Sequence, residues 1–349
     1  MNIRILQLID TLEAGGAERM SVNIANELGK RSIDNILVAT YRGGILSTSL
    51  ENQTVLHVLH KKNGSDLFAF YKFVKLVYHY APTHIHAHST SIIWATLIRL
   101  LFPRIKLIWH DHFGLDTTSN KRSYMRWLLP FVEHTIVVKK ELLNWLHQLD
   151  SNVPATYVPN FTALTVPVIE KDSSTLLCLA NVRRQKDLEN LIAAIYKVRM
   201  KGISVQLRIV GNTSDTIYLS ELQQMITQLN LNDTITIAGP SAHVGIELAR
   251  ATAGVLSSSS EGLPVSLLEY GIAGLPVVVT DVGECGEVTD RGKAGLLVPA
   301  KNTDALAEAI EFLLKNKKEC AELGTRLRQR VNELYGADTY MNTYLTLIQ

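Results

Sequence analysis

The strongest chemical signal in this sequence is a pair of glutamates, Glu261 and Glu269, that follows a run of four serines. Gly262, Leu263 and Pro264 lie between them. Pro264 suits the first position of a helix, because that position does not need the N–H that proline lacks. The first turn of a helix has free N–H groups and the positive end of the helix dipole. The pattern therefore predicts a phosphate-binding helix start.

The two carboxylates would flank a diphosphate bound at that helix start. Glu269 lies five residues after Pro264, about 7.5 Å along a helix axis. Ionised carboxylates are strong acceptors for hydroxyl donors, such as those of sugars. The spacing favours a nucleotide-sugar site. The alternative is that Glu261 interacts only with the helix dipole and that Glu269 is a solvated helix residue.

A basic turn forms a second candidate site. Arg183, Arg184 and Lys186 lie between a predicted strand and a predicted helix. Cations beside a helix N-terminus suit a diphosphate leaving group, because they neutralise the negative charge that grows as the sugar departs. The alternative is an ordinary solvated turn.

Two features of the first half also resemble parts of a ligand site. Gly15 and Gly16 lie between the first predicted strand and a helix, where glycine permits close backbone approach. Two adjacent glycines are often only a turn, and the full dinucleotide-binding glycine pattern is absent. His110, Asp111 and His112 end another predicted strand, where these polar groups could equally cap a loop or helix.

Three further histidines, His84, His86 and His88, alternate along one predicted strand and so share one face. A metal site is conceivable there, but the neighbouring sequence offers no obvious carboxylate or cysteine ligand. Structural histidines with satisfied hydrogen bonds are the favoured interpretation. We expect no metal site and no metal cofactor.

These residues need a scaffold of parallel sheets, because short β-branched runs alternate with longer amphipathic stretches. The predicted strands are Ile3–Ile9, Asn35–Thr40, Thr54–Leu59, His84–His88, Lys106–His110, Thr135–Val138, Thr175–Ala180, Val205–Val210, Thr234–Ala238, Gly254–Ser257, Pro276–Thr280 and Gly295–Val298. The predicted helices include Ala17–Gly29, Leu188–Met200, Tyr218–Leu229 and Thr303–Asn316. About six strands in each half indicate an α/β protein with two doubly wound domains.

The boundary between the domains is predicted in a linker at 160–172, since residues 158–167 contain two prolines and have no helical period. We place the first domain at 1–165 and the second at 166–334, with a helix at about 335–349 returning to the first. Ligands of open α/β sheets bind beyond the carboxyl ends of the strands. We therefore expect the site in a cleft that the two domains face.

Composition excludes several classes of protein. The 349 residues carry a net charge of only +2, which gives no overall signal for nucleic acid. The three cysteines are far apart and suggest neither disulfides nor a metal site. The N-terminal apolar run is too short for a signal peptide, and the longest apolar stretch, Ile92–Phe102, spans about half a bilayer. We expect a cytoplasmic protein.

Residues 1–165 are basic, with 17 Lys+Arg against 12 Asp+Glu. Within them, Leu67–Tyr80 and Lys121–Trp127 combine cations with aromatic side chains. This composition favours a surface that rests on anionic lipid headgroups, on the inner face of the cell membrane. The alternative is that the aromatic side chains are core and the cations merely solvated.

The whole pattern resembles the GT-B retaining glycosyltransferases of family 4. The resemblance rests on Glu261 to Glu269 with the serines before them, on Gly274-Leu275-Pro276 and the strand after it, and on Val282-Gly283. It extends over nearly the whole chain and is strongest over 176–300. It implies two Rossmann-like domains, the first binding the acceptor and the second a nucleotide-sugar donor.

The resemblance also implies roles for individual residues. Glu261 would contact the transferred sugar and Glu269 the ribose hydroxyls, while His110 would bind the sugar by hydrogen bonds, with His112 as the rival and Asp111 orienting either ring. His88 matches a histidine that the family often has at the end of that strand. The predicted donor-binding residues are Gly15, Gly16, Arg183, Lys186, Gly239, Gly262, Leu263, Pro264 and Glu269.

One part of the sequence departs from the family. The usual motif is G-R-L-x-x-x-K-G. Lys186 matches its lysine, but Asn181 stands at the arginine and Asp187 at the last glycine. Either Arg183 or Arg184 supplies the second cation, or backbone groups hold the diphosphate. We favour Arg183.

The resemblance implies that a sugar passes from a nucleotide diphosphate, expected to be UDP or GDP, to a saccharide or lipid-linked acceptor in surface polysaccharide or lipopolysaccharide assembly. Two alternatives stay open. They are a nucleotide-sugar epimerase of the same architecture and a non-catalytic sugar-binding protein.

Overall fold

The computed structural model describes residues 3–51, 53–112, 124–149, 151–169 and 175–349. The chain divides into two compact units, Met1–Asn160 with Ala337–Gln349 and Phe161–Gly336. The change of unit at 160/161 falls at the start of the predicted linker, whose residues 170–172 lie outside the described ranges. Among the described helices, none has both the length and the apolar character that crossing a membrane requires.

The first unit is built on a seven-stranded parallel sheet with the order β3-β2-β1-β4-β5-β6-β7. Its strands are β1 Arg4–Thr11, β2 Asp34–Arg42, β3 Val55–Val58, β4 His84–His88, β5 Lys106–Asp111, β6 His134–Val137 and β7 Ala155–Tyr157. Its helices are α1 Gly16–Lys30, α2 Leu67–Tyr80, α3 Ile92–Leu101, α4 Met125–Leu128 and α5 Lys140–Leu149, with 3₁₀ turns at Ile45–Ser49, Ser89–Ser91 and Leu129–Phe131.

The second unit is built on a six-stranded parallel sheet with the order β10-β9-β8-β11-β12-β13. Its strands are β8 Thr175–Leu179, β9 Gln206–Val210, β10 Ile235–Gly239, β11 Ala253–Leu256, β12 Val277–Thr280 and β13 Leu296–Val298. Its helices are α6 Leu188–Met200, α7 Thr216–Gln228, α8 Val244–Arg250, α9 Val265–Ile272, α10 Cys285–Val288, α11 Thr303–Lys315 and α12 Lys317–Leu334, with a 3₁₀ turn at Arg184–Lys186.

The predicted α/β class is confirmed, and all twelve predicted strands are present with ends shifted by at most two residues. Their apolar runs are buried because helices cover both sheet faces, as parallel sheets require. The prediction missed β7, an edge strand of three half-buried residues directly after Pro154. So short a strand carries no alternation, and only its pairing with β6 defines it.

The last helix, α13 (Ala337–Leu347), belongs to the first unit. The Tyr344 hydroxyl lies 3.0 Å from Nδ1 of His86 on β4. Arg31, which follows α1, forms an ion pair with Asp338. The chain therefore returns to the face of the first sheet on which His86 lies.

Candidate functional site

The Glu261 carboxylate forms a shielded ion pair with the ammonium group of Lys186. The Lys186 side chain is 15% exposed and that of Glu261 is 7% exposed. Ser258 Oγ donates a hydrogen bond of 2.6 Å to the same oxygen, Oε1, that meets the lysine. The fold thus joins two motifs that the sequence presents 75 residues apart.

The serine run holds the basic turn in place. Ser257 Oγ donates to the carbonyl oxygen of Lys186 at 2.8 Å. Ser259 donates to the carbonyl oxygen of Gln185 through both its backbone N–H, at 2.8 Å, and its hydroxyl, at 3.1 Å. These bonds fix the backbone of the turn and leave the Lys186 side chain to reach Glu261. The sequence showed the serines but not this task, since their partners lie on another loop.

Asp187 stands where the family motif has glycine, and the backbone conformation at this position explains why the family prefers glycine there. Its φ is +49°, in the left-handed region that glycine favours and that aspartate tolerates better than most residues. It precedes α6 without capping it through its side chain. Burial raises the pKa of the Asp187 carboxyl, and the nearby Glu189 adds to the increase. The departure from the motif preserves the turn conformation.

The acidic helix differs from the prediction at its first residue. Pro264 has extended backbone angles and precedes the helix, which begins at Val265. The N–H of Leu267 donates to the Pro264 carbonyl at 3.1 Å, whereas the N–H groups of Val265 and Ser266 precede the first helical hydrogen bonds, as at every helix start. Glu269 is 5% exposed, so it is not the solvated helix residue of the alternative interpretation. Leu263 is also buried.

Gly283 supports the loop that carries Glu261. Its φ is +55°, and a Cβ atom there would lie 2.4 Å from the carbonyl oxygens of both Glu261 and Gly262. The N–H of Glu284 donates to the Gly262 carbonyl at 2.9 Å. Only glycine fits this position, because both the backbone angle and the space exclude a side chain.

The two arginines of the basic turn have different surroundings. Arg184 forms a two-pronged pair with Glu221, at 2.8 and 2.7 Å, and its guanidinium lies 4.9 Å from the centre of the Tyr218 ring. Arg183 is exposed, and no ion pair joins it to any residue within the described ranges. Arg183 is therefore the cation that can meet a ligand without giving up a protein partner.

Asn181, at the position of the family's arginine, links two loops. Its side-chain oxygen accepts from the N–H of Asn212 at 2.8 Å, and the Asn212 carbonyl accepts from Val182 at 2.8 Å. The neighbouring Gly211 donates to the carbonyl oxygen of Gly239 at 3.0 Å, and Gly239 has a φ of +74°. Asn181 thus joins the loops after β8 and β9 by a neutral bond.

In the first unit, the position that strictly requires glycine is not in the Gly15–Gly16 loop that the sequence indicated. Gly15 is extended, and a Cβ there would meet only the flexible side chain of Glu18; α1 begins at Gly16. The strict requirement is at Gly44, where φ is +151° and a Cβ would lie 2.4 Å from the backbone of Leu12. Gly44 therefore permits the close approach of this segment to the backbone of Leu12.

Four histidine rings stack on one side of the first sheet. The ring centres of His86 and His88 are 4.3 Å apart, and those of His110 and His112 are 3.8 Å apart. His88 and His110 are register partners on β4 and β5. The predicted alternation therefore does place His86 and His88 on one face, and the pairing of strands adds the other two rings.

Hydrogen bonds order this stack from one end. Nδ1 of His88 lies 3.0 Å from Nε2 of His112, and Nε2 of His88 lies 3.0 Å from the side-chain amide of Gln7. In the orientation in which the Gln7 amide donates to His88, it also donates to the carbonyl oxygen of Ser21, and its oxygen accepts from the N–H of Ala25. His84 stands apart, bonded to Thr83.

His110 differs from its rival His112. Neither ring nitrogen of His110 has a hydrogen-bond partner among the residues that the structure describes, whereas His112 is bonded to His88. Asp111 is the buried last residue of β5. The His110 ring is fully buried.

The stack also contains the best geometric candidate for a metal site. One nitrogen each from His86, His88 and His110 lie within 4.8 Å of one another. The ring of His86 is tilted by only 28° against His88 and 11° against His110. Metal-bound imidazoles direct their in-plane lone pairs to one point, whereas nearly parallel stacked rings direct theirs past each other. The arrangement favours neutral stacked rings over a metal centre.

Burial lowers the pKa of all four rings, of His86 and His112 to about 3 and of the other two well below the usual value. The unfolded chain takes up protons near pH 6.5 while the folded chain does not. Their contribution to stability is therefore complete above that pH and is lost as the pH falls towards about 3.

We expect the free energy of unfolding to decrease steeply between pH 7.5 and 5.5, by about 1.4 kcal/mol per ring for each pH unit below 6.5. Urea titrations at both pH values measure it. His110→Phe should keep the stacked rings and reduce the slope of the free energy of unfolding against pH by an amount that corresponds to about one proton. His79→Gln, which removes an exposed ring, should leave the slope unchanged. A slope that is equal in all three proteins would contradict the interpretation.

Comparison with known proteins places these features in a family. The profile described as "Glycosyl transferases group 1" matches residues 164–330, and the profile "Glycosyltransferase Family 4" matches residues 14–165. The chain belongs to glycosyltransferase family 4. It is therefore a transferase by family, and the predicted resemblance is confirmed.

The chain is also similar to several individual proteins. An exopolysaccharide phosphotransferase of Streptomyces coelicolor is 30% identical over 57% of this chain, which covers only 21% of that protein. The N-acetyl-alpha-D-glucosaminyl L-malate synthase of Bacillus anthracis is 24% identical over 76% of this chain and 73% of the synthase. Anabaena HepE, solved in complex with UDP-glucose, has a TM-score of 0.83 and 18% identity, with 99% of each chain covered. That likeness confirms the GT-B fold, with two Rossmann-like domains.

Proposed function

We propose that this family member is a retaining glycosyltransferase that uses a UDP- or GDP-sugar. The acceptor is a saccharide or a lipid-linked saccharide in surface polysaccharide or lipopolysaccharide assembly. The observation that carries the proposal is the shielded Lys186–Glu261 pair, in the loop that leads into α9. The bound UDP-glucose of HepE and the name of the Streptomyces relative support the donor class and the pathway.

In this proposal the second unit binds the donor. Lys186 has three N–H donors, so it can keep Glu261 and still bind an oxygen of the diphosphate. Arg183 adds a second cation, and the free N–H groups at the start of α9 add a third contact for phosphate. Glu269, just over one helical turn into α9, binds the ribose hydroxyls.

Glu261 acts on the sugar. Its carboxylate is held by Lys186 and Ser258, and because a carboxylate can accept about four hydrogen bonds, we propose that it also accepts one from a sugar hydroxyl. His110 is proposed as a further hydrogen-bonding partner of the sugar, because burial keeps its ring neutral and able both to donate and to accept. Its role, like those of Gly15 and Gly16, rests on the family resemblance.

The chemical step needs charge stabilisation more than a protein nucleophile. As the bond to the sugar breaks, negative charge grows on the leaving diphosphate, where Lys186 and Arg183 stabilise it. The acceptor oxygen bonds to the anomeric carbon on the face that the diphosphate leaves, which retains the anomeric configuration, and the leaving phosphate takes the proton of the acceptor hydroxyl. We propose that this step is independent of metal ions.

A thermal-shift screen tests the donor class. A nucleotide-sugar that binds the folded chain raises its melting temperature by mass action, before any acceptor is known. We expect a concentration-dependent increase with UDP- or GDP-sugars and a smaller one with ADP-sugars. The absence of any shift with all three classes at millimolar concentration would contradict the proposal.

Arg183→Ala should weaken UDP or GDP binding by about 10-fold or more, since a hydrogen bond to a charged group contributes about 1.5–3 kcal/mol. Arg184→Ala should leave the affinity within about threefold, because Arg184 is already paired with Glu221 and is proposed to make no phosphate contact. Isothermal titration with the nucleoside diphosphate gives both values. The reverse order of effects would assign the contact to Arg184.

A further inference from the structure

The face of the first unit formed by α2, α3 and α4 is unusually apolar for a surface open to water. Large apolar side chains that are well exposed concentrate there, with Phe68 at 69% and Trp127 at 75% exposed. The others are Leu67, Tyr71, Tyr78, Ile93, Leu97, Leu100, Leu101, Tyr124 and Phe131. Exposed apolar side chains that concentrate on neighbouring helices favour an interaction surface.

Helix α2 shows how the surface is arranged. Ala69, Phe73 and Val77 face the core, which leaves two outward rows. One row holds Leu67, Tyr71 and Tyr78 and is apolar, while the next holds Phe68, Lys72, Lys75 and His79. The ammonium of Lys72 lies 4.5 Å from the centre of the Phe68 ring. Cations therefore lie directly beside aromatic rings on the exposed side.

Helix α3 extends this surface with an aliphatic face. Its outward positions are Ile93, Leu97, Leu100 and Leu101, at the i, i+4, i+7 and i+8 spacing of one helix face. Helices α2 and α3 adjoin, because the rings of Phe70 and Trp94 meet edge to face with centres 5.3 Å apart. An aliphatic strip beside an aromatic and basic strip results.

The charge of this region has one sign. The sequence from 67 to 110 contains five cations, Lys72, Lys75, Arg99, Arg104 and Lys106, and no Asp or Glu. A second copy of the chain would bring like charges together across a two-fold axis. Anionic lipid headgroups would instead meet the cations while the apolar side chains enter the acyl boundary.

We propose that the surface of α2, α3 and α4 docks on an anionic lipid bilayer. Tyr and Trp suit this interface because each has an apolar ring and a polar edge. Residues 121–123 of the second segment predicted for this role lie outside the described ranges. Only the purpose of this docking rests on the proposed function: it would bring the enzyme to lipid-linked acceptors.

Flotation of the full chain with phosphatidylcholine vesicles, with and without about one third phosphatidylglycerol, tests the surface. We expect flotation only with the anionic vesicles, and less of it at high salt. Lys72→Gln with Lys75→Gln should weaken binding about 30-fold, from about 1 kcal/mol per cation. The matched control is Lys317→Gln with Lys318→Gln, two exposed lysines of the second unit, which should bind as the natural chain does.

The apolar contribution is tested by Leu97→Ser with Leu101→Ser, which should weaken binding at least 10-fold at any salt concentration. Its control is Met200→Ser with Ile217→Ser, two apolar residues of the second unit that are more exposed than Leu97 and Leu101. Thermal shifts with nucleotide-sugars should be unchanged in every variant, which separates this proposal from that of the donor site. A chain that stays unbound with anionic vesicles at low salt overturns the proposal. So does sedimentation that shows a dimer abolished by Leu97→Ser with Leu101→Ser.

Discussion

Glu261→Gln should reduce sugar transfer by about 100- to 1,000-fold while the affinity for the free nucleoside diphosphate stays within about threefold. Glutamine keeps the shape of the side chain and its contact with Ser258 but removes the charge that we assign to the sugar hydroxyl. In the proposed site the nucleotide is held by other residues, Lys186, Arg183 and Glu269. Transfer is measured as release of nucleoside diphosphate with acceptor present, and affinity by titration.

Glu269→Gln is the matched control for this substitution. It is the other glutamate of the pair and is also shielded from solvent, but its proposed partner is the ribose. It should therefore weaken nucleotide binding, with a smaller loss of turnover at saturating donor. Full activity in Glu261→Gln would instead support the non-catalytic sugar-binding alternative. Sugar interconversion without an acceptor would support the epimerase.

Lys186→Met should weaken binding of the nucleoside diphosphate by about 10- to 100-fold and have little effect on binding of the unphosphorylated nucleoside. The loss is confined to phosphate because the ammonium is the only part removed, while methionine fills much of the same volume. Turnover should decrease further than the affinity for the nucleotide-sugar, since the leaving diphosphate has more negative charge in the transition state than in the bound donor. Titrations with nucleoside and with diphosphate separate the two effects.

The same substitution should lower the free energy of unfolding by on the order of 3 kcal/mol, because it leaves the carboxylate of Glu261 shielded and without its cation. The double variant Lys186→Met with Glu261→Gln should recover most of that stability without recovering activity. Urea unfolding measures the cycle. If the two single effects simply add in the double variant, the ion pair contributes little, and the electrostatic basis of the site is wrong.

The sequence by itself determined the elements and their order. Strand positions followed from apolar runs of five or so residues, and the α6 prediction, Leu188–Met200, matches its observed bounds. Those signals are local, because the burial of a parallel strand or of one helix face produces a pattern of apolar residues within a short stretch of sequence. The spacing between Glu261 and Glu269 could be recognised for the same reason, since one lies on a loop and the other on the helix that directly follows it.

The tertiary structure alone decided which side chains meet. The Lys186–Glu261 pair, the serine bonds to the basic turn and the Glu221 partner of Arg184 join residues from different elements. The stack of four histidines likewise depends on the pairing of β4 with β5. Such contacts depend on strand order and register, which no spacing along the chain encodes.

The glutamate pair shows this division most clearly. Its sequence indicated a helix start for phosphate with an acid on each side, whereas the fold decided that Glu261 is held by a cation and a serine and that Glu269 is buried. Gly283 is the complementary case. Its need for glycine comes from the carbonyl oxygens of Glu261 and Gly262, 22 and 21 residues earlier, because packing of two backbones against each other leaves no room for a side chain.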